Sequence, residues 1–245
     1  RNENYYDTPK PYPDKLKWIQ VIDKAAQMAA FRAGELDVLT GMKKPDLDAL
    51  LKTNPQSKVD RSVQGGVHWF IFKADEPNSP WADKRVRVAM SKALERDAMV
   101  AALEFGEGDW GGAIPAGYAP YGLTMEEKSK VYNLQYNLAE AKRLMKEAGY
   151  PNGFKATLYY ASKNFNVSPH IIMGANMLKE NLNVDIDLSK GSEYTEWLAD
   201  GFTGKAKQVV YITMGGTSLW WQILQFQYYS KGKWHTSQIN SSELD

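Results

Sequence analysis

Few side chains in this chain are able to do chemistry, and they are scattered. Histidine is the usual acid–base and metal-ligating residue, and there are three: His68, His170 and His235. None lies within a helical turn of another in sequence, so no local metal pair is expected and each reads as a structural or surface histidine. Asp185 and Asp187 stand two apart on a predicted strand and share one face. A glycosidase needs an acid and a nucleophile partnered across a cleft. No such partner is evident, so the pair reads as an exposed strand face, and Glu126 and Glu127 read as a solvated helix start. No Gly-x-Ser-x-Gly elbow and no Walker phosphate loop occurs. The segment Gly106-Glu-Gly-Asp-Trp-Gly-Gly112 is glycine-rich, but it follows a predicted helix and its two acids would repel phosphate. It reads as a flexible loop.

What remains is the chemistry of binding. Trp110 and Tyr118 fall in the loop Gly106–Tyr121, where they are placed to line the rim of a cleft. The stretch Thr213-Met-Gly-Gly-Thr-Ser-Leu-Trp-Trp221 is the second candidate, and its ligand-binding set is Met214, Gly215, Gly216, Thr217, Trp220 and Trp221. The glycines allow close backbone approach. Thr217 and Ser218 offer hydroxyls at a predicted helix start, where backbone N–H groups also point outward. Stacking combined with hydroxyl hydrogen bonds suits a neutral solute such as an oligosaccharide. Adjacent helical residues point about 100° apart, so at most one of the two tryptophans faces a cleft.

The elements that must position these residues follow from periodicity and caps. Alternation over 16–22 reads as a strand. Asp23 caps a helix from Lys24 to Arg32 ended by Gly34. Leu36–Leu39 reads as a short strand, and Pro45 opens a helix over Asp46–Leu51. Ser57–Gln64 and Val67–Lys73 read as a hairpin turning at Gly65-Gly66. Asp83 caps a long helix running to about Phe105, and Asp83, Arg85 and Arg87 read as a charge network at its start. Asn137 caps Leu138–Ala148, closed by Gly149 and Pro151. Beyond it, strands at Phe154–Ala161, Val184–Leu188 and Gln208–Met214 alternate with helices at Ser168–Leu182, Ser192–Asp200 and Ser218–Tyr229. This order predicts crossover connections and a mixed, largely parallel α/β sheet.

Composition bounds the class. With 245 residues, 43% hydrophobic and 24% charged, the chain is an ordinary globular one, not disordered or collagen-like. The net charge of +1 from dispersed Lys and Arg gives no footprint for nucleic acid or anionic membrane. The absence of cysteine excludes disulfides, thiolate catalysis, Fe–S clusters and Cys-zinc sites. No apolar run is long enough to span a bilayer. Aromatics reach 12%, with 14 Tyr and 8 Trp, which suits either an aromatic core or a stacking cleft. With no catalytic constellation, a binding protein is the simplest class, and a hydrolase acting on a glycan or peptide is the lesser alternative.

Several blocks, in order, resemble the family 5 solute-binding proteins of ABC importers, the dipeptide and oligopeptide type. They are Asn2-Glu-Asn-Tyr-Tyr-Asp-Thr-Pro-Lys-Pro-Tyr-Pro-Asp-Lys-Leu-Lys-Trp18, Ala29-Ala-Phe-Arg-Ala-Gly-Glu-Leu-Asp37, and Phe72-Lys followed by Asp83-Lys-Arg-Val-Arg-Val-Ala-Met-Ser-Lys-Ala-Leu-Glu-Arg-Asp97. Ile114-Pro-Ala-Gly and Ala139-Glu-Ala-Lys-Arg-Leu-Met-Lys-Glu-Ala-Gly-Tyr150 complete the set. The resemblance implies an α/β lobe, a mixed sheet with flanking helices, one of two lobes in a periplasmic-binding-protein fold of the class II type. On this expectation residues 1–245 are a single lobe truncated at both ends. The implied function is capture of peptides or similar small solutes outside the cytoplasmic membrane and delivery to an ABC permease. No cofactor, metal, nucleic acid or enzymatic turnover is implied. The protein is expected to be a monomer in the periplasm or on the outer face of the cytoplasmic membrane, with a lipid anchor on a segment before Arg1 as one expected means of attachment. Peptide-binding members often carry Ala-Asp-Tyr-x-Asp-Pro after the strand aligned with Val209–Met214, the Asp pairing with a peptide's ammonium group. Here no acid occupies that motif, so a neutral or sugar-like solute is the second expectation.

Overall fold

The computed structural model describes residues 6–7, 12–61, 67–73, 76–118, 120–131, 134–161, 167–189, 191–202, 209–214, 220–225, 229 and 231. The chain divides into two compact units, Arg1–Val59 and Asp60–Asp245.

The first unit holds two helices, α1 (Lys24–Arg32) and α2 (Lys44–Thr53). The Asp23 carboxylate accepts from the Ala26 N–H at 2.7 Å, so the expected N-cap forms. Gly34 follows with φ +78°, the left-handed conformation that ends a helix. The strands expected at 16–22 and Leu36–Leu39 are absent. Leu16, Trp18 and Ile22 are 71%, 85% and 92% exposed. Alternation alone does not make a strand, because a strand needs a paired edge and a covered face.

The second unit is a sheet with helices. Its strands are β1 (Val67–Ile71), β2 (Lys155–Ala161), β3 (Asp185–Asp187), β4 (Gly191–Ser192) and β5 (Val209–Met214). The order is β1-β5-β2-β3, with β4 also paired to β2. β2 runs parallel to β3, β4 and β5, whereas β1 is antiparallel to β5. This is the mixed, largely parallel sheet expected. The hairpin is corrected: residues 57–61 are not a strand, and β1 takes β5 as its partner. The turn residues Gly65 and Gly66 lie outside the described residues.

The helices here are α3 (Lys84–Lys92), α4 (Arg96–Leu103), α5 (Met125–Val131), α6 (Leu138–Glu147), α7 (Pro169–Leu182), α8 (Tyr194–Phe202) and α9 (Trp220–Ile223). Alternate residues of β2, Ala156, Leu158 and Tyr160, are buried against Val86, Ala89 and Met90 of α3, Met145 of α6, and Ile171 and Leu178 of α7. Trp197 of α8 is also buried. No helix among the described residues is long and apolar enough to cross a membrane.

The long helix expected from Asp83 to Phe105 is broken at 93–95, and the reason is local. Arg96 donates to the Ser91 and Leu94 carbonyls, and Asn181 Nδ2 donates to the Ala93 carbonyl at 2.8 Å. The Asn137 N–H takes the Lys92 carbonyl at 2.9 Å. The carbonyls that would continue the helix are bonded elsewhere, so α3 ends at Lys92 and α4 starts afresh at Arg96.

Candidate functional site

Because β2 and β5 are parallel, their carboxyl ends, Ala161 and Met214, lie at the same end of the sheet. The antiparallel β1 begins there, with Val67 directly opposite Met214. Ligands of open α/β sheets bind outside this carboxyl edge. The first turn of α7, which follows β2, also lies there. His68 of β1 stacks on His170 of α7, with centroids 3.8 Å apart and planes 12° from parallel. Two residues further along β1, the Phe70 ring lies 3.0 Å from where a Cβ on Gly174 would stand, one helical turn after His170. The two rings are therefore the packing contact between β1 and α7. His170 Nε2 is 2.9 Å from Glu104 Oε1, just past the end of α4, and its Nδ1 is 3.4 Å from Ser168 Oγ. Sequence spacing kept the two histidines apart, and topology joins them. Stacked imidazoles do not converge their lone pairs on one point. No metal-holding group of three or more His, Asp or Glu occurs among the described residues.

The glycine-rich loop reaches the same edge. Expected to be flexible, it is held at four successive residues. Asp109 Oδ2 accepts from Lys128 Nζ at 2.8 Å, and the Trp110 carbonyl accepts from the same ammonium at 2.7 Å. Trp110 Nε1 donates to Asp97 Oδ1 at 2.7 Å. A Cβ on Gly111 would fall 2.5 Å from Val67 Cγ1, so only glycine fits against the start of β1. One on Gly112 would touch Lys128 Cε at 3.4 Å. The Lys128 side chain is 1% exposed. An ammonium taken that far from water needs a counter-charge and hydrogen bonds, and the loop provides both. Gly111, the residue after Trp110, thus packs on Val67, whose strand partner is Met214.

The remaining site residues are placed as follows. Tyr118 is half-buried in a short 3-10 turn, Ala116–Tyr118, with its N–H donating to the Pro115 carbonyl at 3.1 Å. Met214 is the last residue of β5. Gly215, Gly216 and Thr217 lie outside the described residues. Trp220 is the first residue of α9, and Trp221 is 44% exposed. Lys128, Asp97 and Val67 were missed from the sequence. A lysine inside Met-Glu-Glu-Lys-Ser-Lys and an acid within a predicted long helix both look like solvated surface, so no local signal marks them.

The carboxylates weighed for catalysis are occupied structurally. Asp185 pairs with Lys179 at 3.2 Å, and Asp187 Oδ1 accepts from the Ser189 N–H at 2.8 Å. Glu127 and Thr124 cap α5 reciprocally: the Thr124 N–H donates to Glu127 Oε2 at 2.8 Å, and the Glu127 N–H to Thr124 Oγ1 at 3.3 Å. The Asp83 carboxylate accepts from the Arg85 N–H at 2.8 Å and from its guanidinium, while Arg87 donates to the Trp81 and Ala82 carbonyls. This is the helix-start network expected. Arg96 is bonded to Ser91 and to the Leu134 carbonyl, and burial pushes its guanidinium down to about 10. Shallow concavities of about 350 and 480 Å³ occur on the outer side of α7 and beside the ends of α6 and α7. The first takes in Pro169 and Ile172 from the first turn of α7 and runs down the helix to Glu180, and the linings of the two include none of Val67, His68, Trp110 and Met214.

A family model described as "Bacterial extracellular solute-binding proteins, family 5 Middle" matches residues 1–235. The periplasmic murein peptide-binding protein MppA of Escherichia coli is 29% identical over 210 residues, covering 83% of this chain and 37% of that protein. The periplasmic oligopeptide-binding protein OppA of Salmonella typhimurium is 26% identical over 204 residues, 80% of this chain and 35% of that protein. The chain thus spans little more than a third of the length of these relatives. A solved structure of the Escherichia coli murein tripeptide binding protein MppA superimposes with TM-score 0.66 at 27% identity, over 89% of this chain and 42% of that one.

Proposed function

The chain belongs to the bacterial extracellular solute-binding proteins of family 5, and on that premise we propose that it captures a small solute outside the cytoplasm and delivers it to an ABC permease. We take peptides as the first solute class, in line with the relatives named for peptide binding. The observation that carries the reading is the carboxyl edge, where the loop that carries a held indole, Trp110, packs through Gly111 on Val67, the residue opposite Met214. An edge with a held aromatic loop is suited to enclosing a solute against a facing wall. Residues 1–245 act, in this reading, as one lobe of such a pair. The protein works as a monomer and without turnover, in keeping with Asp185 and Asp187 being committed to structural bonds. A lipid anchor belongs to the same proposal.

A second reading is favoured by one feature. The stretch after β5 reads Met-Gly-Gly-Thr-Ser-Leu-Trp-Trp and carries no acid to pair with a peptide ammonium. An unpaired buried cation is costly, so a neutral or sugar-like solute is the alternative. Native mass spectrometry of gently purified protein, with any released ligand fragmented, tests both. Co-purified peptides are expected. A neutral sugar mass would move the assignment to the second reading. If the protein with both lobes present carries nothing and binds neither trialanine nor maltotriose at millimolar concentration, solute capture is refuted.

A further inference from the structure

We propose that Lys128 and Asp97 are positioning residues that fix the Trp110 ring as a rigid flat wall at the carboxyl edge, for a solute presenting an uncharged amide or C–H face. The inference rests on the reading of that edge as the solute wall and adds how its central ring is held.

The loop from Glu107 to Gly112 has no helix or strand of its own. Three of its six residues are glycine, so left alone it would sample many conformations. Side chains from two helices restrain it. The buried Lys128 ammonium of α5 takes two successive groups of the loop, the Asp109 carboxylate and the Trp110 carbonyl. Asp97 in the first turn of α4 takes the indole N–H. Backbone and ring of one residue are thus anchored by different elements. Val67 then closes the space on Gly111. An indole whose N–H is already bonded to Asp97 has its apolar faces and C–H edges left for a ligand, and those faces favour amide planes and C–H groups. A ring ordered before binding loses less freedom on binding, which is the gain from preorganisation.

The test is fluorine NMR of protein labelled with 5-fluorotryptophan, the Trp110 resonance being assigned with Trp110→Phe. In the unsubstituted protein Trp110 gives one dispersed, broad resonance. Lys128→Met keeps an apolar stem in the buried site and removes the ammonium, and the Trp110 resonance moves toward the free amino acid and sharpens. Asp97→Leu does the same, whereas Asp97→Asn keeps an acceptor and leaves the resonance in place. An unchanged resonance in both Lys128→Met and Asp97→Leu overturns the proposal. Should Lys128→Met fail to fold, the contrast between Asp97→Leu and Asp97→Asn decides alone. Trialanine and maltotriose serve as solute probes. Half-saturation for whichever probe moves the resonance rises at least threefold in Asp97→Leu and less than twofold in Asp97→Asn. Equal affinities in the two variants overturn the positioning role. If neither probe shifts any tryptophan resonance of the unsubstituted protein, the solute-wall reading fails, and the proposal fails with it even though the tether itself would still register in the variant spectra.

Discussion

At Gly111 a single hydrogen decides whether the loop can reach the sheet. A methyl group there would stand 2.5 Å from Val67 Cγ1. Gly111→Ala is expected to cost about 1–3 kcal/mol, as overpacking does, and to displace Trp110 from β1; chemical denaturation and the Trp110 resonance check the two effects. Asp109→Ala leaves the buried Lys128 ammonium with the Trp110 carbonyl and no counter-charge. A loss of about 2–3 kcal/mol follows, measurable as a lowered denaturation midpoint, and no loss would mean that the pair is not holding the loop. Trp110 was legible in the sequence as an aromatic in a loop of small residues. Lys128 was not, because its burial depends on where a loop nearly twenty residues upstream settles. Charge patterning describes helices in isolation and is silent about that.

At the scale of elements, caps and closing glycines were the readable signals. Asp23, Asp83 and Asn137 each accept the backbone N–H expected of an N-cap. Gly149 and Gly153 both have positive φ, +89° and +73°, yet differ in surroundings. No atom is near a Cβ on Gly149, whereas one on Gly153 would fall 2.2 Å from the Asn183 carbonyl oxygen. Gly149→Ala should cost about 1 kcal/mol, and Gly153→Ala more than about 3 kcal/mol, a contrast that thermal unfolding of the two variants reads directly. The strands expected over 16–22 and at the described start, 57–61, of 57–64 were misread because a paired edge comes from distant sequence, which local alternation does not contain. The helix expected over 83–105 was misread because its periodicity does not register the carbonyls taken by Arg96 from within it and by Asn137 and Asn181 from far along the chain. The helix starts also set an acid limit. Hydrogen bonds from Arg85, from Thr124 and from Arg143 hold the carboxyls of Asp83, Glu127 and Glu140 below their ordinary values of 3.8, 4.5 and 4.5. Groups depressed in this way add stability that is fully present above those ordinary values and is lost as pH falls through the lower folded ones. Stability should therefore fall below about pH 4, and Asp83→Asn with Glu127→Gln should flatten that fall; an unchanged slope in the double variant would contradict the assignment.

Over the whole molecule, the second unit is organised around β2, whose alternate side chains meet α3, α6 and α7. Leu158 at its centre is fully buried, so Leu158→Ala should cost about 2–5 kcal/mol and lower the melting temperature without moving the carboxyl edge. The alternation of strands and helices after Tyr150 made the parallel sheet readable. The antiparallel β1–β5 pairing, which brings Val67, His68 and the Trp110 loop beside Met214, joins residues nearly 150 positions apart and left no local trace. The central claim is that this edge is where solute is bound. Chemical-shift mapping of isotope-labelled protein titrated with a mixed tripeptide pool tests it most directly. The account predicts shifts concentrated at the Trp110 indole N–H, Val67, His68 and the Met214 amide. Shifts confined to the outer side of α7 around Ile172 and Met173, or to the unit Arg1–Val59, would contradict it.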